Sequence, residues 1–319
     1  MSQLRAVGAG IRIRLADRPF TADRTLPTTL SERACRGRRT LPDGRTQGWL
    51  DAGPLDGSPV LFFHGGNDCR LEALWIEQAL ATTGVRLVCT DCAGFGGSTH
   101  DAGRTSSSAA REAVDLLDHL GLDRVRVLGL SGGGPHALAV AVVAPDRVSG
   151  VVVVASPCPW DQPGFLRGTW LPIRITYLLA RYAPDWLFRR LQKAMNDAER
   201  NLRYTDRMAA PDARLLKDLP QVGRAMVRSV TAPHEGGFEG AVHEWRLYTR
   251  PWGFDLTKVE APVSLWYGDQ DGMAPAAMGH DLARRLRRAA LTVVPDRAHL
   301  PVFVREAERI LLDNSAQER

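Results

Sequence analysis

The sequence predicts an α/β fold in which a mostly parallel central sheet is flanked by helices. Short apolar runs of strand length recur along the chain and alternate with stretches of helical periodicity, as in βαβ units. These runs are apolar at nearly every position, which is typical of strands buried on both faces of a parallel sheet. The alternation breaks off between residues 157 and 253, so the sequence also predicts an insertion in the fold.

The chain divides into three predicted regions. Residues 1–33 are polar and without a clear period, and we interpret them as an N-terminal extension. Residues 34–156 and 254–319 form the predicted core. Residues 157–253 form the predicted insertion, in which aromatic residues concentrate. Apolar side chains repeat there at four-residue intervals after Pro184, which indicates at least one helix.

Each predicted element in the first half of the core has its own signal. A β-hairpin is predicted where two short runs flank residues 42–45, because Pro, Asp and Gly are typical of turns. Continuous apolar runs predict strands, and apolar residues three or four apart predict helices. In chain order, these elements are the hairpin 39–50, strand 59–63, helix 72–81, strand 85–89, helix 106–120, strand 125–129, helix 134–144 and strand 151–155.

Beyond the insertion, the same signals predict strands at 263–267 and 291–294 and a final helix at 303–312. The arginine-rich run 284–288 is interpreted as the solvent-exposed face of a further helix, whose leucines face inward. The core would thus end, as it begins, with strands alternating with helices.

Composition is that of an ordinary globular chain. Of 319 residues, 44% are hydrophobic and 24% are charged, which is enough apolar material for a sizeable core. The formal net charge of +5 comes from arginine, since the lysines are only Lys193, Lys217 and Lys258. The arginines are scattered along the chain, so we do not expect nucleic-acid binding.

The five cysteines are interpreted as buried, inert thiols, because no second pair or histidine cluster completes a zinc site. The first twenty residues contain arginines and lack the apolar segment of a secretory signal. No apolar run reaches the length needed to span a membrane. These observations favour a cytoplasmic protein without a metal or membrane insertion.

The pentapeptide Gly129-Leu130-Ser131-Gly132-Gly133 lies between a predicted strand and a predicted helix. In that context, the serine of Gly-x-Ser-x-Gly sits on a sharp turn that exposes its Oγ, and neighbours without side chains allow the turn to close. The following helix places its positive end at the serine. We therefore predict that Ser131 is a nucleophile; the alternative is a structural serine of the turn.

A nucleophilic serine needs a base, an orienting acid and an oxyanion hole. The loop after the first core strand contains Gly66, whose N–H and that of Gly132 are predicted to bind the oxyanion. After the insertion, Asp269 and Asp271 both follow one strand, and His299 follows the next. The chain therefore offers candidates for every part of such a site.

Together, these motifs resemble those of the α/β-hydrolase superfamily, of the serine-nucleophile, esterase-like type. The resemblance spans residues 37–312 and rests on five sequence blocks, which are 62–66, 91–98, 129–135, 267–271 and 297–299. The second block has Cys92-Ala93 where the family usually has Arg-Pro, a departure within a structural turn. Because this superfamily hosts many chemistries, the resemblance says more about the fold than about the substrate.

The resemblance implies a catalytic triad of Ser131, Asp271 and His299, in that order along the chain. Asp271 is preferred to Asp269 because family members place the acid three residues after the glycine. His64 is usually structural in this fold, and we expect the same here.

The resemblance also implies that residues 157–253 form a helical lid over the active site. Trp160 and Trp170 follow closely on the strand that enters this region, and they are predicted to bind substrate; the alternative is that they form the core of the lid. His136 follows Ser131 on the next helix. We expect it to face away from Oγ and to be a further residue of the substrate pocket.

The predicted function is hydrolysis of a carboxylic ester, thioester or lactone of a small-molecule acyl substrate through an acyl-enzyme, with no cofactor. The alternatives are acyl transfer or cyclisation by the same triad, and a non-hydrolytic ligand-binding protein on this fold. Epoxide hydrolases and haloalkane dehalogenases of this fold resemble each other in using an aspartate nucleophile, so Ser131 argues against both. We leave open whether the chain forms a homodimer.

Overall fold

The computed structural model describes residues 35–196, 208–232 and 237–313. Within them lies an eight-stranded sheet with the strand order β1-β2-β4-β3-β5-β6-β7-β8. The strands are β1 (Cys35–Thr40), β2 (Thr46–Ala52), β3 (Ser58–Phe63), β4 (Val85–Thr90), β5 (Val125–Leu130), β6 (Val148–Val154), β7 (Val263–Gly268) and β8 (Ala289–Val294). The predicted extension, residues 1–33, lies outside the described residues.

Most of this sheet is parallel. β1 pairs with β2 and β2 with β4 in antiparallel fashion, whereas all the pairs from β4 to β8 are parallel. The predicted hairpin forms β1 and β2, and Gly44 supplies the left-handed residue of its turn, with φ of 85°. The central strands are almost entirely buried, as their continuous apolar character predicts. The predicted fold class is therefore confirmed.

Helices flank the sheet. Those that lie outside the insertion are α1 (Glu77–Thr83), α2 (Ser106–His119), α3 (Gly134–Val143), α9 (Ala276–Arg285), α10 (His299–Val304) and α11 (Ala307–Leu311). Those between β6 and β7 are α4 (Leu171–Tyr182), α5 (Asp185–Met195), α6 (Ala210–Asp218), α7 (Pro220–Thr231) and α8 (Glu239–Tyr248). The predicted helix after Pro184 is α5.

Two elements near the C-terminus differ from the sequence prediction. The single helix expected at 303–312 is two short helices, α10 and α11, and the backbone of Glu306 between them leaves the helical region. The buried carboxylate of Glu306 there accepts hydrogen bonds from Arg297 and Arg309. α9 ends at Arg285, because the chain becomes extended at Leu286 to bury that side chain; the next two arginines therefore lie outside the helix.

The insertion contributes helices that face the carboxyl ends of the parallel strands. α7 packs against the 3₁₀ turn Arg70–Ile76, which follows β3, and α8 packs against α4 and α5. Between these helices and the strand ends lies a cavity of about 630 Å³. None of the described helices combines the length and the apolar character that crossing a lipid bilayer would require.

Candidate active site

Ser131 occupies a sharp turn between β5 and α3. β5 ends at Leu130, and Ser131 begins a short 3₁₀ turn that leads directly into the helix. Its φ of 50° is in the left-handed region, which a residue with a side chain adopts only at a cost of about 1–3 kcal/mol. A Cβ on Gly133 would overlap the carbonyl oxygen of Phe63, so glycine is required for the turn to approach β3.

The glycine loop after β3 lies beside this turn. β3 and β5 are parallel neighbours, with Phe63 opposite Gly129, so their carboxyl ends lie together. A Cβ on Gly132 would come within 3.0 Å of the Gly66 Cα. The two glycines predicted to bind an oxyanion are thus adjacent in space, although they are far apart in sequence.

His299 and Asp271 form a buried hydrogen-bonded pair. The His299 Nδ1 lies 2.8 Å from the Asp271 Oδ2. The other carboxylate oxygen accepts hydrogen bonds from the backbone N–H groups of Met273 and Ala274, at 2.7 and 2.9 Å. These contacts hold the carboxylate in place and direct it at the imidazole. Asp269, the competing candidate, is exposed to solvent.

The electrostatics of this pair affect the basicity of His299. Burial by itself lowers the pKa of His299, but the Asp271 carboxylate opposes it through charge and hydrogen bonding. Asp212 and Asp68 add to the effect of Asp271, and the pKa of His299 is raised above its ordinary value of 6.5. With Nδ1 directed at Asp271, the Nε2 is the ring nitrogen left for a reacting group.

The cavity brings the predicted site residues together. Ser131, His299, Gly66 and Gly132 all line it, and so does Trp170. The rest of the wall is largely apolar and aromatic, and its aromatic members are Trp75, Tyr177, Trp245 and Tyr248. A polar reactive corner therefore opens into an apolar pocket, which is the usual form of a small-molecule site.

Two predicted substrate-binding residues do not line this cavity, and this corrects the sequence prediction. Trp160 packs against Phe165 and Tyr177, with ring centroids 4.8 and 6.4 Å away, and belongs to the core of the insertion. His136 is 1% exposed, and its Nε2 lies 2.8 Å from the Glu244 Oε1. It contacts the ion pair of Glu244 and Arg104 and does not line the pocket.

Three buried carboxyl groups at the cavity were not predicted. Burial raises the pKa of Asp68 to about 7 and that of Asp212 to about 6, and it raises the pKa of Glu72 well above its ordinary value. The Glu72 Oε2 accepts a hydrogen bond from the Gly65 N–H at 2.7 Å. The Asp212 Oδ1 accepts one from the Leu300 N–H at 2.9 Å. Glu72 therefore supports the glycine loop that contains Gly66, and Asp212 supports the first turn of α10, which begins at His299.

The sequence offered only weak indications of these three carboxyl groups. Asp68 and Glu72 follow the glycine loop directly, so their proximity to it could have been inferred from the sequence. Asp212 lies far from any motif and could not have been found. No group of three or more His, Cys, Asp or Glu side chains within the described ranges has the arrangement of a metal site.

His64 and Asp91 have structural contacts behind the site. The His64 Nε2 accepts a hydrogen bond from the Cys92 N–H at 3.1 Å, and its Nδ1 lies 2.7 Å from the carbonyl oxygen of Gly65. Asp91 accepts from the backbone N–H groups of Arg70 and Gly97, at 2.7 and 2.8 Å. These bonds tie the glycine loop to the turn after β4.

Comparison with known proteins places the chain in a family. The model of a family described as the alpha/beta hydrolase fold matches residues 58–306. The uncharacterized hydrolase YcgS of Bacillus subtilis is 24% identical over 269 residues, which cover 81% of this chain and 92% of that protein.

Solved structures show the same fold. A thermophilic esterase from Thermogutta terrifontis matches with a TM-score of 0.61 and 24% identity, covering 87% of this chain and 95% of that chain. The enol-lactonase from Burkholderia xenovorans matches with a TM-score of 0.64 and 18% identity, covering 86% and 96%. The family match extends over all the parallel strands and the loops that line the cavity, and the chain belongs to the α/β-hydrolase family.

Proposed function

We propose that this chain is a serine hydrolase that cleaves a carboxylic ester, thioester or lactone of a small molecule. Ser131 is the nucleophile, His299 the general base and Asp271 the residue that orients the histidine. One observation carries the proposal: a serine at left-handed φ and the histidine of a buried His–Asp pair line one cavity, beside two adjacent glycines. The family is described as the alpha/beta hydrolase fold, and the relative YcgS is named a hydrolase, which supports hydrolysis as the reaction class.

The reaction follows from these positions. The His299 Nε2 takes the Ser131 proton as Oγ attacks the carbonyl carbon, and the Asp271 carboxylate stabilises the imidazolium. The N–H groups of Gly66 and Gly132 donate to the oxyanion of the tetrahedral intermediate. The imidazolium then protonates the leaving group, and an acyl-enzyme remains. His299 then takes a proton from a water molecule that attacks the acyl carbon. The bond between this carbon and the Ser131 Oγ breaks, Oγ takes the proton back from the imidazolium, and the acid leaves.

The cavity favours an apolar acyl or alcohol group. Its wall is largely aromatic and aliphatic, and its volume of about 630 Å³ is in the range of small-molecule sites. The esterase and the enol-lactonase among the similar structures are named for cleavage at an acyl carbon, which is compatible with this substrate class. In this proposal, α4 to α8 form a lid that shapes the pocket.

The proposal is tested by labelling and by turnover. A fluorophosphonate probe is expected to modify Ser131 in the intact protein, and p-nitrophenyl esters of increasing chain length should give a saturable release of nitrophenol. Acyl transfer is distinguished by adding an alcohol and measuring whether ester product replaces the free acid. A protein that is never labelled and hydrolyses no ester, yet binds a ligand tightly, would refute the proposal in favour of a binding function.

The pH dependence of activity should reflect the raised pKa of His299. The histidine must be neutral to accept the Ser131 proton, so kcat/KM is expected to rise with pH. Because the pKa of His299 is above 6.5, the midpoint of this rise should also lie above 6.5. The measurement is kcat/KM for an uncharged ester from about pH 5 to about pH 9. A midpoint below 6.5 would show that Asp271 does not act on the histidine as proposed.

Two tryptophans of the insertion provide a matched test of the pocket wall. Trp170 lines the cavity and Trp160 does not. Trp170→Ala is therefore expected to change the ratio of kcat/KM between long and short esters by about 10-fold or more, since pocket contacts discriminate by about 1–3 kcal/mol.

Trp160→Ala should lower the melting temperature because it removes core packing. Its rates should change by a similar factor for all esters. Equal chain-length profiles for the Trp170→Ala and Trp160→Ala variants would remove Trp170 from the pocket wall.

A further inference from the structure

Tyr248, the last residue of α8, lies over the two glycines proposed as oxyanion donors. It lines the cavity with Ser131. A Cβ on Gly132 would overlap the Tyr248 hydroxyl oxygen, and a Cβ on Gly66 would come within 2.5 Å of it. The hydroxyl therefore occupies the space that a side chain would fill at the residue after the serine. Glycine at both positions is what leaves room for it.

The Tyr248 hydroxyl is a buried donor. The residue is 4% exposed, and its Oη makes no hydrogen bond of ordinary geometry to another described residue, although it lies beside Glu244. Burial, and then the Glu244 carboxylate, raise the pKa of Tyr248 well above its ordinary value of 10. The phenol therefore keeps its proton at neutral pH. The neighbouring Glu244 carboxylate is already engaged by Arg104 and His136, so a ligand oxygen in the cavity can accept the hydrogen bond of the phenol.

A buried ion-pair network holds Tyr248 in this position. Glu244, one helical turn earlier on α8, pairs with Arg104 and lies 2.8 Å from the His136 Nε2. All three residues are at most 2% exposed. Burial opposes ionisation of Glu244, but Arg104 and then His136 hold the pKa of Glu244 well below its ordinary value. The network ties α8 to Arg104, which precedes α2, and to His136 of α3, so the phenol is fixed before substrate binds.

We propose that Tyr248 is a catalytic residue that donates a third hydrogen bond to the oxyanion of the tetrahedral intermediate. This inference rests on the proposed function, because it assumes attack by Ser131 on a carbonyl carbon. The proton stays on the phenol throughout, and the oxyanion accepts the hydrogen bond alongside those from Gly66 and Gly132. The lid would thus supply part of the reaction centre as well as the pocket wall.

The hydroxyl has a specific role in this arrangement. The negative charge develops on the carbonyl oxygen only as Oγ attacks, so a donor placed in advance stabilises the transition state more than the bound ester. A fixed phenol needs little reorganisation when the charge appears. Removing its O–H should therefore lower kcat more than it raises KM.

The test compares Tyr248→Phe with Tyr267→Phe. Tyr267 is also a buried tyrosine, but it does not line the cavity, and its hydroxyl donates to the carbonyl oxygen of Ser156 at 2.8 Å. Tyr248→Phe is expected to lower kcat by about 10²-fold and to slow fluorophosphonate labelling of Ser131, with KM changed by less than about 3-fold. Tyr267→Phe should leave kcat within about 3-fold of wild type.

The melting temperature of the variant distinguishes a catalytic role of Tyr248 from a structural one. Because the Tyr248 hydroxyl lacks an ordinary hydrogen bond, Tyr248→Phe should melt no lower than the wild type. Should that variant fail to fold, Tyr248→Met must show the same loss of kcat. This inference alone would be overturned if Tyr248→Phe had an unchanged or higher kcat. It would also be overturned if the two tyrosine variants lost kcat equally. A wild-type protein that neither labels at Ser131 nor hydrolyses esters would overturn the proposed function together with it.

Discussion

Ser131→Ala is expected to abolish fluorophosphonate labelling and to lower ester hydrolysis by at least about 10⁴-fold. Ser131 has a φ of 50° at the end of β5 and lines the cavity, so this variant removes the proposed nucleophile itself. What activity remains would come from the oxyanion donors and substrate binding alone. The side chain is only partly buried, so the variant should fold and melt close to the wild type.

Ser156→Ala is the matched control for the Ser131 variant. Ser156 lies close to the same turn, since a Cβ on Gly134 would overlap its side chain, but it is fully buried and its Oγ donates to the carbonyl oxygen of Pro157. Labelling should be retained in this variant. Mass spectrometry of the labelled protein identifies the modified residue, and modification at Ser156 or Ser98 would remove the central proposal.

Asp271→Asn is expected to lower kcat by about 10³–10⁴-fold, and His299→Ala by at least as much. The asparagine keeps the shape of the carboxylate, but it is neutral and can present its NH₂ group to the His299 Nδ1. The imidazole would then lose the partner that fixes its tautomer and stabilises its charged form. Steady-state kinetics with one p-nitrophenyl ester measure both effects.

Asp269→Asn is the control for the acid. Asp269 lies two residues away on the same loop, yet it is exposed, and among the described residues its carboxylate makes a long contact, 3.4 Å, with the Arg297 N–H. Its replacement should change kcat by less than about 3-fold, as for most exposed polar residues. If Asp269→Asn lowered kcat strongly and Asp271→Asn lowered it only slightly, the acid of the triad would be misassigned.

The largest expected losses of activity thus concern residues whose positions follow from the local sequence. A strand, a turn of small residues and a helix follow one another within residues 125–143, so Ser131 could be placed on its turn without any long-range contact. The hairpin and the buried strands followed in the same way, because periodicity and turn residues act over a few positions. Parallel strands bring their carboxyl ends together, so the proximity of Gly66 and Gly132 could also be expected.

Only the tertiary structure decided which side chains of the insertion face the cavity. Trp160 and Trp170 have the same residue type and lie ten positions apart, yet one packs in the core of the insertion and the other lines the pocket. His136 turned towards Glu244, a partner 108 residues away.

Tyr248 carries no motif at all, and its relation to Gly132 depends on how α8 crosses the sheet ends. The sequence by itself therefore determined the fold class and the turn that carries Ser131, since each depends on neighbouring residues. The order of the candidate triad followed from the resemblance to a family. The pocket and the proposed third donor depend on how distant helices pack, which periodicity does not encode.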